Sequence, residues 1–201
     1  ETWRSQGNVR VAVMEAKAKK LPVVVSMGSV AASGGYWVAT AGDVIFAEPN
    51  TITGSIGIFG ILPSFENSLA KLGITTDGVK TTPLSGQPDV MGGFSTEVDT
   101  ILQAGIEHGY AQFIDRVAKA RKKTPEQIDA IAQGRVWDGG TARQIGLVDR
   151  FGSLEDAVDE AAKRAGLKPQ NVHAEYLEKA PDRWAAFLND VLRDEEEGKG
   201  G

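Results

Sequence analysis

Three β-branched residues, Val23-Val24-Val25, run into Ser26-Met27-Gly28 and then into a cluster of small side chains, Ser29-Val30-Ala31-Ala32-Ser33-Gly34-Gly35. No other stretch limits the possible folds as tightly. Pro22 forbids continuation of any preceding helix, so the valines read as a buried strand. Small residues let the backbone turn sharply and pack closely. The next apolar run, from Tyr36 to Ala41, reads as a helix. Ser33 therefore sits where a turn feeds a helix, and two roles are open to it. As an N-cap, its hydroxyl accepts a bond from a first-turn amide. As a nucleophile, it has helix N–H groups beside it and the positive end of the helix dipole behind them, suited to a developing oxyanion.

Composition narrows the partners. The chain has 201 residues, 41% hydrophobic and 24% charged, enough for one sizeable core. A net charge of −5 with no basic stripe argues against nucleic acid. Without cysteine there are no disulfides, thiolate nucleophiles or cysteine-bound zinc. His108 and His173 are too far apart for a convincing metal site, and no cofactor is implied. No stretch approaches the roughly 20 apolar residues of a membrane span, and no signal-peptide pattern is visible. Residues 1–7 lack a start methionine and read as the beginning of a piece cut from something longer.

Taken in order, Val9 to Lys20 reads as a helix with Val9, Val13 and Ala16 on one face. Asp43 to Ala47 reads as a strand. Pro63 to Leu72 reads as an amphipathic helix ended by Gly73, then a strand over Ile74 to Thr81 and a loop over Thr82 to Pro88. A long helix is expected from Ser95 to about Lys123, with Ile101, Leu102, Ile106, Tyr110, Phe113, Ile114 and Val117 as a buried stripe and His108 solvated. Thr124-Pro125-Glu126-Gln127 opens another helix. Gly134 to Gly140 reads as a turn, Thr141 to Ile145 as a short helix closed by Gly146, and Leu147-Val148-Asp149 as a brief strand. A helix from Ser153 to Ala165, a strand over Asn171 to Leu177 and a helix over Pro181 to Leu192 complete the chain. The acidic, glycine-rich tail Asp194 to Gly201 has the composition of disorder. Strands alternating with helices over short connections make this an α/β chain with one domain over 1–193 and no evident internal repeat.

A second unusual segment is Thr51-Ile52-Thr53-Gly54-Ser55-Ile56-Gly57-Ile58-Phe59-Gly60. Glycine in a strand marks close approach by another backbone. That backbone is either an extended peptide lying in a groove or a neighbouring element of the same fold.

Together, Val23 to Trp37, Thr53-Gly54-Ser55-Ile56-Gly57, Gly134-Arg135-Val136-Trp137-Asp138-Gly139-Gly140-Thr141-Ala142 and Gly146-Leu147-Val148-Asp149 resemble the signal peptide peptidase A (protease IV) family of serine–lysine proteases. The similarity is strongest to the C-terminal half of the long, two-domain bacterial form, and spans about Val9 to Gly166. It implies a Clp protease/crotonase-like α/β fold, with stacked strands and flanking helices. By the same resemblance Ser33 is the nucleophile, the Gly34 N–H lies in the oxyanion hole, and Ser55 holds the catalytic lysine in place. A lysine acting as general base must be neutral near pH 7, which requires desolvation. Ile56, Ile58 and Phe59 suit that need.

The family's base falls on Gly78-Val79-Lys80-Thr81-Thr82, where the register puts Thr81 at its position. Lys80 is one residue off, and on a strand would face the other way. The resemblance implies that the N-terminal half of a longer protein supplies the lysine, so this chain alone is expected to be inactive or nearly so. A second oxyanion donor would come from a glycine-rich turn upstream of the first helix. The resemblance further implies peptide substrates (cleaved signal peptides and other hydrophobic unfolded chains) and a ring-like homo-oligomer. It also implies a bacterial inner-membrane anchor outside this sequence and a periplasmic or other extracytoplasmic catalytic part. Two alternatives stand beside it. One is a crotonase-type acyl-CoA enzyme with Glu48 or Glu66 as base; the other is a non-catalytic oligomerisation module.

Overall fold

The structure, a computed structural model, describes the backbone of residues 2–177 and the side chains of 7–177. It divides into two compact units, Glu1–Pro169 and Gln170–Gly201. In the first unit the helices are α1 (Thr2–Ala18), α2 (Gly34–Ala39), α3 (Glu66–Lys71), α4 (Thr96–Arg121), α5 (Pro125–Asp129), α6 (Gly139–Gln144) and α7 (Leu154–Arg164). The strands are β1 (Val24–Ser26), β2 (Val30–Ala32), β3 (Val44–Ala47), β4 (Ile52–Gly54), β5 (Val136–Asp138) and β6 (Arg150–Phe151). This is the expected α/β class: one three-stranded sheet ordered β1-β3-β6 and another ordered β2-β4-β5, with helices around them.

A repeat hard to see in the sequence organises these sheets. The β1–β2 segment and the β3–β4 segment are each a strand, a short link and a strand. They lie in parallel register, Val24 opposite Val44 in one sheet and Val30 opposite Ile52 in the other. The links are tied together. The Met27 amide donates to the Phe46 carbonyl at 2.9 Å, and the Ile52 amide donates to that of Ser29 at 2.9 Å. The Thr51 hydroxyl donates to the Gly28 carbonyl at 3.0 Å and accepts from the Glu48 amide at 3.1 Å, which satisfies a fully buried polar group.

Helix α2 plugs the core. Tyr36 is completely buried and donates its hydroxyl to the Leu147 carbonyl at 2.8 Å, while Trp37 meets Phe113 of α4 edge to face at 5.0 Å between ring centroids. Phe113, Ile114 and Val117 are buried as the periodicity requires, with Ile128 of α5 and Leu147 against them. The Gly146-Leu147-Val148-Asp149 motif is structural. Asp149 takes two bonds from the Arg121 guanidinium, at 3.0 and 2.6 Å, and one from the Ile45 amide at 2.8 Å. Arg121 also donates to the Gly146 carbonyl at 2.7 Å, so the motif clips α4 to β3. Burial alone would raise the Asp149 pKa, but these bonds outweigh it and hold the carboxyl below the ordinary aspartate value.

The capping signals are where the sequence places them. Ser95 caps α4 through the Val98 amide, and Thr124 with Gln127 forms a capping box on α5, as Ser153 with Asp156 does on α7. Several expectations fail for physical reasons. Val13 and Ala16 are half-buried on one face of α1 as expected, but Val9 is exposed, and Arg10 and Lys17 share that face instead. Ile101 and Leu102 are exposed, because the packed part of α4 is mainly its C-terminal half. The helix expected from Pro63 begins only at Glu66, and nearly all its residues face solvent, although Gly73 does end it at φ +72°. Ile74–Thr81 forms no strand: its side chains are exposed and no ladder partner is present among the described residues.

Conversely, the turn expected over Gly134 to Gly140 contains β5, antiparallel to β4. Leu147–Asp149 is not a strand, since the Leu147 and Val148 amides both bond back to the Ala142 carbonyl and the ladder to β3 starts at Arg150. No strand forms over Asn171–Leu177. A 3-10 turn, Pro169–Asn171, gives way to irregular chain. The helix expected over Pro181–Leu192 and the tail from Asp194 lie outside the described residues.

Candidate active site

Strands β2 and β4 end together. Ala32 is paired with Gly54, and the next residue on each strand is a serine with left-handed backbone, Ser33 at φ +51° and Ser55 at φ +49°. For a residue with a side chain that region is costly and persists only where the surroundings enforce it. The enforcement is visible. The Ser33 amide donates to the Gly54 carbonyl at 2.8 Å, and the Ser55 amide donates to that of Arg135 at 2.7 Å.

Ser33 stands at the N-cap position of α2, yet its side chain makes no capping bond. The capping bond, one of the two roles open to it, is therefore not made. At ψ −114° the backbone turns the chain straight into the helix, whose amides from Gly34 to Tyr36 precede the first intrahelical bond, that of the Trp37 amide to the Ser33 carbonyl at 2.9 Å. The expected turn before Ser33 is mostly strand: Val30 to Ala32 form β2, and their small side chains allow β4 to lie alongside.

The glycines around Ser55 answer the other open question. A Cβ on Gly54 would come within 2.8 Å of the Trp137 ring, and one on Gly57 within 2.7 Å of the Gly134 nitrogen. The backbone that approaches them is the chain's own, from Gly134 to Trp137. The Gly134 amide donates to the Ile56 carbonyl at 2.9 Å and completes the clamp. Ile56 turns into the core, whereas Ile58 and Phe59 face a cleft.

That cleft, about 440 Å³, is lined by Ser33, Ser55, Gly57, Ile58, Phe59, Ile106, Glu107, Tyr110, Gln133 and Gly134. Both predicted serines are half-buried on its wall. Ile106 and Tyr110, read from sequence as core stripe, line it too. The Tyr110 hydroxyl donates to Asp129 at 2.5 Å and accepts from the Gln133 amide at 3.2 Å, tying α4 and α5 to the cleft wall. Burial first, then the carboxylate of Asp129, pushes the Tyr110 hydroxyl up to about 12. No lysine lines the cleft among the described residues; Lys80 lines a separate pocket with Asp77 and Asp89. Glu48 and Glu66, the carboxylates considered for an acyl-CoA reaction, are not on the cleft wall. The carboxylate there is Glu107, which sequence reasoning missed. Its place one residue after Ile106 and three before Tyr110 on α4 was the available signal.

A strained serine that ends a strand, opens a helix and faces an apolar cleft has the placement that the nucleophile of a serine hydrolase of α/β architecture requires. The particular family emerges from comparison. Residues 15–168 match the model of peptidase family S49, and the chain belongs to that family. It is 50% identical over 173 residues to Protease 4 of Salmonella typhi (86% of this chain, 28% of that protein). It is 42% identical over 178 residues to Protease 4 of Haemophilus influenzae (88% of this chain, 29% of that protein). The chain thus spans under a third of either relative. Among solved structures it is similar to a point mutant of ClpP1 from Listeria monocytogenes, at TM-score 0.43 and 13% identity over 77% of this chain and 87% of that one. A likeness at that level says nothing about chemistry. No helix among the described residues is long and apolar enough to cross a membrane.

Proposed function

We propose that this chain supplies the nucleophilic half of a serine–lysine peptidase centre that hydrolyses cleaved signal peptides and other hydrophobic, unfolded peptides. The observation that carries the reading is the matched pair of strained serines. They step off neighbouring parallel strands at the same rung, face one cleft, and Ser33 spends its hydroxyl on no cap.

In the mechanism, a neutral lysine held by the Ser55 hydroxyl removes the Ser33 proton. The Ser33 Oγ attacks the peptide carbonyl, and the Gly34 amide binds the oxyanion. The lysine returns the proton to the departing amine, and water then hydrolyses the acyl-enzyme. Ile58, Phe59 and Ile106 exclude water around the amine and so favour its neutral form. That no lysine lines the cleft among the described residues supports a base brought by another segment, the N-terminal half of a longer protein. This chain alone then turns over little or no substrate. The whole protein is a ring-like homo-oligomer, anchored in the bacterial inner membrane by a segment outside this sequence, with its catalytic part on the periplasmic side.

The test is peptide hydrolysis and fluorophosphonate labelling of the full-length protein. Ser33→Ala abolishes both. Retained cleavage in that variant would overturn the assignment. Activity in this chain alone that disappears on Lys80→Ala would place the base within it after all.

A further inference from the structure

We infer that Glu107 is a specificity residue, and that the cleft selects peptides in which a basic side chain adjoins an apolar run. This rests on Ser33 being the nucleophile. The wall of the cleft is sharply divided. Ile58, Phe59 and Ile106 make it greasy, and Glu107 is its one carboxylate, with no cationic side chain beside it among the described residues. Glu107 is not committed elsewhere. It forms no ion pair among the described residues, and its hydrogen-bond donor is a neutral amide, Gln103 Nε2 at 2.8 Å one turn back on α4. An exposed carboxylate at the edge of an apolar surface rejects an acidic substrate residue and attracts a basic one. The attraction strengthens as bound peptide displaces water.

The chemistry that fits is a chain carrying Lys or Arg immediately next to several apolar residues. Secretory signal sequences have that junction by construction, a positive segment joined to an apolar one of about 7–15 residues. Cleavage registers on the basic–apolar boundary and not on the middle of the apolar run.

The experiment uses the full-length protein and a set of neutral Leu/Ala peptides, each with one Lys moved a residue at a time, with cut sites mapped by mass spectrometry. The expected result is a preference of roughly fivefold in kcat/KM for Lys at one or two positions, the size an exposed ion pair gives. Raising the salt concentration shrinks it. Glu107→Gln flattens the profile, and Glu107→Lys shifts the preference to the matching Glu peptide, a swing of roughly 25-fold in the Lys-to-Glu ratio. A flat wild-type profile, or Glu107→Gln slowing every peptide equally, overturns the inference; the second result would assign Glu107 to the incoming lysine. Ser33→Ala separates the two readings. If that variant still cuts, the nucleophile assignment falls. If it is silent while the Lys profile is flat, only the role of Glu107 falls.

Discussion

The corners at Ser33 and Ser55 pose the chain the same problem and solve it with different supports. Both break a parallel strand with a left-handed serine. Beyond Ser33 the chain enters a helix anchored in the core by its third and fourth residues, Tyr36 on the Leu147 carbonyl and Trp37 on Phe113. Beyond Ser55 the chain runs out with little pairing of its own, and a neighbouring segment, Gly134 to Trp137, clamps it from one side. One corner is made rigid by the helix it opens; the other, by the segment lying against it. Strain at the first is coupled to the main core, and strain at the second to a wall held by Tyr110 and Asp129. Damage to each corner should therefore show up differently.

The largest effect expected is Ser33→Ala, a fall of about 10⁴-fold or more in kcat/KM of the full-length protein with the melting temperature unchanged. Ser55→Ala should cost about 10³-fold, because in the proposed mechanism it disorients a base without deleting the nucleophile. Equal losses in the two variants would erase the functional distinction between the corners.

Asp149→Ala attacks the core support behind the first corner and should cost about 3 kcal/mol in urea unfolding, since it leaves Arg121 unpaired. The acid limb of stability tests the same contact. The Asp149 pKa is lowered on folding, so its contribution is complete above the ordinary aspartate value near 4 and is lost as pH falls through the folded value. Removing Asp149 should flatten the stability profile below about pH 4.

Gly57→Ala pushes a methyl into the Gly134 backbone and should cost about 2 kcal/mol, with KM rising as the clamp shifts. The smallest effect is Tyr110→Phe, about 1 kcal/mol for a lost bond to Asp129. The Tyr110 hydroxyl is raised on folding, so its contribution holds below the free tyrosine value near 10 and fades as pH climbs toward 12. The variant should accordingly lose the difference from wild type in alkaline unfolding. A larger loss than that for Gly57→Ala would mean that the wall, and not the glycine contact, sustains the second corner.

Much of this was legible because it is written in local rules. Buried valines, the capping boxes at Thr124 and Ser153, and the small residues around Ser33 act within a few positions, so sequence reveals them. The two serines could be named from motif resemblance, but their shared rung could not, because register between β2 and β4 is a property of pairing across 22 positions. The β1–β2 and β3–β4 repeat was hard to see, since its links differ in length and its two copies share little beyond β-branched residues at the start and a serine at the close. Ile74–Thr81 shows the opposite failure: residues with strand propensity and nothing to pair with among the described residues. Glu107 escaped notice because the α4 periodicity marks an inward face without saying whether core or cleft lies opposite.

The rung shared by Ala32 and Gly54 also acts as a ruler. Neighbouring strands sit about 4.8 Å apart wherever main-chain ladders form, so the offset between the two serine backbones is set by peptide chemistry common to all sheets. Drift in the surrounding core can weaken this protein, or slow it, long before it can move those two attachment points relative to each other.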